Sequence, residues 1–154
     1  SRDRVQAQDG SWHTTAQATI WRWRQAYQHD FAARMDWCVA EKFKDANHNP
    51  VAVLNGDESK DVLELSAKPG EKIELSAQGS TDPDGDDIAV SWFVYPEAGT
   101  FNGKVELSSQ NETTTSFVAP DVDAASTIHI ILQLKDDGEP NLFSYRRAII
   151  EVSP

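Results

Sequence analysis

Residues 79–92, GSTDPDGDDIAVSW, decide the fold of this chain. Asp82, Asp84, Asp86 and Asp87 surround Pro83 and Gly85, a run too polar and too broken by proline and glycine for regular structure. Directly after it Ile88, Val90, Trp92 and Val94 alternate with Ala89, Ser91, Phe93 and Tyr95, the two-residue period of a strand. An acidic turn feeding a strand that buries a tryptophan points to a β-sandwich more than to an enzyme. The aspartates admit three readings: a solvated turn, a calcium site or a catalytic cluster.

The same period recurs on both sides. Upstream, Asn49-Pro50 opens a strand at Val51–Leu54, Val62–Ala67 forms a second, and Ile73–Ala77 a third. Between the last two, Lys68-Pro69-Gly70-Glu71 has Pro and Gly where a type II turn needs them. Downstream come Val105–Leu107, Thr114–Val118, Thr127–Leu134 and Tyr145–Val152. The run TIHIILQL at 127–134 reads as central and well buried. Seven or eight short strands without intervening helices predict a mainly β, Ig-like two-sheet sandwich over 49–154, with a barrel as the alternative.

Residues 1–48 are a different kind of polypeptide. They carry a net charge of +1 against −12 for the remainder, and they hold four of the five tryptophans. Residues 1–13 read as a loop. Ala16, Ile20, Trp23, Tyr27 and Phe31 then recur at steps of three and four, predicting a helix over about 15–36 that Thr14 or Thr15 caps. A short second helical turn is expected before Asn47. The apolar face of this helix, widened by Trp21, needs a cover, either the body or a missing neighbour, with a sugar-stacking or membrane role as the alternative. The acidic body repels phosphate backbones, which argues against nucleic acid. No apolar run is long enough to span a membrane, and the single cysteine, Cys38, says little about compartment.

Catalysis at the acidic turn is the weakest of its readings. Residues 81–87 look like the aspartate cluster of nucleoside hydrolases, but Ser80 stands where that cluster begins, Asp84 interrupts it, and a strand follows where a helix is needed. Calcium is better motivated, because Asp82, Asp84 and Asp86 alternate like the start of an EF-hand loop. The remaining EF-hand positions do not match, so a sandwich would complete the shell from Asp137, in the turn Asp136-Asp137-Gly138, or from Asn49. The alternative is a plain turn whose carboxylates cap local N–H groups. His13, His29, His48 and His129 have no zinc spacing, and no nucleophile elbow is present. Asn111-Glu112-Thr113 matches a glycosylation triplet that chance supplies often.

Two family resemblances join these residues. From Asn49-Pro50 through GSTDPDGDDIAVSW to LKDDGEP (134–140), the body resembles PKD and cadherin-like modules of secreted bacterial proteins. ATIWRWRQAYQHDFAARMDWCV (18–39), ANHNP (46–50), WFVYPEAGTF (92–101), TIHIILQLKDDGEP (127–140) and SYRRAIIEV (144–152) resemble the C-terminal region of a family of secreted bacterial proteins. That family has an N-terminal nucleoside-hydrolase-like domain and is commonly labelled cellulose-binding. The resemblance implies that residues 1–48 are the helical tail or linker of such an upstream domain, that any catalytic aspartates lie outside this chain, and that the protein is secreted or periplasmic. It also implies that Trp21, Trp23, Tyr27 and Phe31 pack on that upstream partner. Phe93 and Tyr95, on the strand face opposite Trp92, remain candidates for a polysaccharide or for the helix. The expected function is a non-catalytic, carbohydrate-associated accessory sandwich. The alternatives are a purely structural domain, stabilised by calcium or not, and part of an enzyme whose chemistry lies upstream.

Overall fold

The computed structural model describes residues 4–6 and 11–154. Two long antiparallel strands form its spine, β7 (Ser126–Asp136) and β8 (Phe143–Val152), paired from Ser126↔Val152 to Lys135↔Phe143. β5 (Ile88–Val94) lines up antiparallel on the other side of β7, and β3 (Leu63–Ala67) runs parallel to β8, giving a four-stranded sheet in the order β3-β8-β7-β5. The facing sheet is a two-stranded antiparallel pair, β4 (Lys72–Ser76) with β6 (Thr114–Val118). The Ig-like sandwich with an N-terminal helical segment is therefore what forms, and two separate sheets set the barrel aside.

Trp92, 1% exposed, sits in the core between the sheets with Leu54, Leu75, Phe117, Ile128, Ile130, Leu132, Leu134 and Ile150. Its Nε1 donates to the Glu112 carbonyl at 2.9 Å, so the buried ring leaves no polar atom unpaired. On β7 the alternate residues His129 and Ile131 are buried as well. A strand buried on both faces needs a second cover; the loop at Gly99 lies against His129, and the helical segment lies against the neighbouring strands through Trp23, which meets Phe93 and Tyr145. That segment is α1 (Ala18–Trp21) and α2 (Arg24–Val39), followed by a 3₁₀ turn at Phe43–Asp45.

Four local expectations are corrected. The loop expected over 1–13 contains a small hairpin, β1 (Arg4–Gln6) with β2 (Trp12–Thr14); residues 1–3 and 7–10 lie outside the described residues. The single helix expected over 15–36 is two, because Trp23 leaves helical geometry (φ −96°, ψ 2°) where its ring turns toward the sheet, and α2 runs on to Val39. Val51–Leu54 makes only single bridges, Val51↔Thr81 and Leu54↔Asp57, since the Ser80 hydroxyl takes the Val53 N–H at 3.0 Å in place of a strand partner. Val105–Leu107 alternates in burial as expected but joins no ladder. Periodicity reports which side chains are buried, and at that edge burial needs no backbone pairing. The turn at Lys68–Glu71 closes as expected, with Glu71 N to Lys68 O at 3.0 Å and Gly70 at φ +82°.

Candidate functional site

Four features are candidates for function. The first is an acidic corner where three loops meet. Asp82 Oδ1 accepts from the Asp84 and Asp86 N–H groups at 2.8 and 3.3 Å, while its Oδ2 is buried without a hydrogen-bond partner. Asp84 Oδ2 accepts the His48 N–H at 2.7 Å and lies 3.2 Å from His48 Nδ1. Asp137 Oδ1 accepts the Asp87 N–H at 2.9 Å. Asp136, 2% exposed, takes Gly138 N–H, Leu142 N–H and Asn47 Nδ2 at 3.1, 2.8 and 3.2 Å. Gly138 is required here, since a Cβ would press on Asn47 and the Asp86 carboxylate.

The electrostatics of this corner are unfavourable for like charges. Burial, then Asp82, Asp137, Asp136 and Asp84, hold the Asp86 carboxyl above the ordinary carboxylate range. Burial likewise raises Asp136, against the hydrogen bonds from Leu142 and Asn47 that favour its charged form. The structure thus brings Asp82, Asp84, Asp86 and Asp137 together. It adds Asp136, Asn47 and His48, which spacing alone did not single out. Asn49 instead donates to the Phe143 carbonyl at 3.0 Å. Asp82 Oδ1, Asp84 Oδ2, Asp137 Oδ1 and both Asp136 oxygens serve N–H groups, and among the described residues no three His, Cys, Asp or Glu side chains form a ready-made metal cage.

The second feature is the seam between α2 and the four-stranded sheet. Trp23 stands against Phe93, Tyr95 and Tyr145 at centroid distances of 5.9, 6.0 and 5.1 Å, the last two edge-on. Burial raises the Tyr145 hydroxyl well above its usual range. Arg22 covers the Phe93 and Tyr95 rings and pairs with Glu97 at 3.0 Å, both side chains largely buried. Further along, His29 Nδ1 meets the Asn141 carbonyl at 2.7 Å and Ala33 is 1% exposed. At the end Trp37 Nε1 donates to the Asn47 carbonyl at 2.7 Å, and the His48 ring is stacked with both Trp37 and Phe43. The seam and the acidic corner thus share Asn47 and His48. Trp23, Phe93 and Tyr95 face each other, not an outside ligand.

The third feature is the opposite side of α2. Tyr27, Phe31, Met35 and Val39 are 49%, 64%, 49% and 80% exposed. Steps of four residues keep them adjacent on a stripe about 18 Å long, at ~1.5 Å rise per residue. Ile20 and Trp21 before it and Phe43 after it are also exposed, Trp21 with its ring edge-on to His13 at 5.8 Å. Of the aromatics expected to meet a neighbour, Trp21, Tyr27 and Phe31 face outward. Met35, Val39 and Phe43 belong with them; MDWCVAEKF lacks a clean period, which hid them.

The fourth is a groove of about 460 Å³ across the outside of β4 and β6. Lys72, Glu74, Ser76, Thr114 and Ser116 line it, with Asn55 at one edge and Ser108 at the other. Asn55 Oδ1 accepts the Ser76 N–H at 2.8 Å and Ser108 Oγ accepts the Ser116 N–H at 2.9 Å, so both open sheet edges are blunted by side chains. Leu75 and Thr115 also line the groove, which contains no aromatic ring.

A family model described as cellulose-binding protein Sde0182, C-terminal domain, matches residues 72–152. Among solved structures, a nucleoside hydrolase-related hypothetical protein from Saccharophagus degradans, associated with carbohydrate metabolism, is 40% identical with a TM-score of 0.86. The match covers 94% of this chain and 36% of that one, so the chain spans about a third of that relative. The PKD domain of the KIAA 1837 protein is 19% identical over 60% of this chain and 81% of its own, with a TM-score of 0.41. No curated protein matches. Among the described residues no helix is long and apolar enough to cross a membrane, which says nothing of β-barrels.

Proposed function

The chain belongs to the family of the cellulose-binding protein Sde0182 C-terminal domain, and from that premise we propose that it is a non-catalytic accessory module of a carbohydrate-associated protein, acting outside the cytoplasm. Its work is to pack on and present a nucleoside-hydrolase-related domain of the same protein. Residues 1–48 are the connecting segment and 49–154 the sandwich. The observation that carries this reading is the double-faced helix: α2 is seated on the sandwich through Trp23 at its start and His29 along it, and its other face offers apolar side chains outward. A segment fixed to one body and apolar toward the outside is what a joint between two bodies requires.

Calorimetry of the full-length protein tests it. Packing of the module on its neighbour couples their unfolding, and a single cooperative transition is expected; two transitions at the temperatures of the separate parts would overturn the proposal. Co-sedimentation of this chain with microcrystalline cellulose tests a direct polysaccharide contact. Retention abolished by Lys72→Ala and Ser116→Ala would place that contact in the groove on β4 and β6, as a second duty of the module.

Calcium at the acidic corner is a supporting reading, favoured by the buried, partnerless Asp82 Oδ2. The donor set suits it, since a hard cation prefers carboxylate and carbonyl oxygen and relieves the repulsion that burdens Asp86. Asp82, Asp86 and Asp137 would have to draw together around the ion, since they form no cage without it, with Asp84 beside them at His48. It would stiffen the corner where helical segment and sandwich meet. EGTA should then lower the melting temperature and calcium restore it; an unchanged melt ends this reading.

A further inference from the structure

We propose that the outer stripe of α2, with Phe31 at its centre flanked by Tyr27, Met35 and Val39, is the surface on which the nucleoside-hydrolase-related domain docks. This rests on the accessory reading above and assigns it a place. The stripe is an outer apolar face of a helix whose inner face is already covered. A helix on the surface of a finished fold ordinarily turns charged and polar residues outward. Four large apolar side chains at consecutive four-residue steps therefore mark a surface that is covered in the complete protein.

The identity of the cover follows from two observations. The relative that this chain matches over nearly its whole length has almost two-thirds of its own chain outside the match, and that protein is nucleoside hydrolase-related. The family is a C-terminal domain, which puts the rest of such proteins on the side of the chain where α2 lies. The segment is also rigidly placed. Arg22–Glu97 before α2, His29–Asn141 along it and His48–Asp84 after it tie the helix to the sandwich, so the stripe needs little ordering when the neighbour docks.

The test is Phe31→Asp, with Tyr27→Ser as the second variant, each made in this chain alone and in the full-length protein. Because both residues are exposed, the chain alone should keep its melting temperature. In the full-length protein each variant should split the single transition into two and open the junction to protease. If wild type itself melts in two independent steps, the accessory reading fails. If wild type melts in one step and both variants do as well, the accessory reading stands and the stripe is the wrong surface. A wild-type chain that sediments as a dimer and becomes monomeric with Phe31→Asp would assign the stripe to a second copy and overturn the proposal. Cellulose retention lost with Phe31→Asp would overturn it in favour of a polysaccharide.

Discussion

Replacing Trp23 by alanine tests whether helix and sandwich are one unit. The ring is partly buried against Phe93, Tyr95 and Tyr145. A tryptophan that buries about 100–150 Å² at ~25 cal/mol per Å² contributes roughly 2.5–4 kcal/mol. Residual compactness of the unfolded chain trims that figure by roughly 10–40%, and favourable ring geometry adds back about 0.5–1.5 kcal/mol per aromatic pair. The expected loss is about 3 kcal/mol, which for a domain of this size corresponds to a fall in melting temperature of roughly 6–12 °C. The assay is thermal unfolding followed at once by helical circular dichroism and by the β-sheet amide band in the infrared, which reports the sandwich. The two signals should fall together in wild type and in Trp23→Ala, and Trp23→Phe should recover part of the loss. A fall of less than about 2 °C in both signals would refute the reasoning. So would loss of helix at a lower temperature while the sandwich melts as before, since the segment would then be an independent appendage.

Three further outcomes are expected. Hydrogen bonds from Ser59, then from Arg146, hold the Asp57 carboxyl at about 2 against an ordinary value of 3.8. A depressed carboxylate stabilises fully above its unfolded value and loses that contribution as pH falls toward the folded one, so Asp57→Asn should flatten the acid limb of the stability curve below pH ~4. Asp86 has the opposite sign: its raised carboxyl weakens the native state at neutral pH, and mild acid relieves the strain. Asp86→Asn should therefore melt higher than wild type in EGTA and, where calcium binds, gain less from it; a lower melt in EGTA would contradict the repulsion. Gly138→Ala should cost about 1–3 kcal/mol by overpacking at Asn47 and Asp86, read by urea unfolding, and an unaffected midpoint would show that the corner has slack.

The sandwich was legible because its strands carry two signals at once, alternation and turn chemistry. TIHIILQL even announced a buried second face, since His129 and Ile131 are covered along with Ile130 and Leu132. The cover was harder to assign. Trp23 and Tyr27 share one apolar stretch and both suit a buried helix face, yet a local break at Trp23 sends its ring to the sheet while Tyr27 turns outward. Periodicity identifies an apolar face but cannot say which of two bodies it meets. At the acidic corner the four aspartates of 82–87 were visible as a cluster. The turn Asp136-Asp137-Gly138 was expected beside them from the strand order of a sandwich; Asn47 and His48 were not, because Asn47 lies 89 residues from Asp136 in sequence and only tertiary packing brings the two together.

The central claim is that this chain is a rigid module carrying an apolar face for a neighbouring domain. Hydroxyl-radical footprinting of the chain alone and of the full-length protein measures it directly. Tyr27, Phe31 and Met35 should be labelled readily in the chain alone and protected in the full-length protein, with Trp92 protected in both. Equal labelling of those three residues in the two proteins would contradict the account.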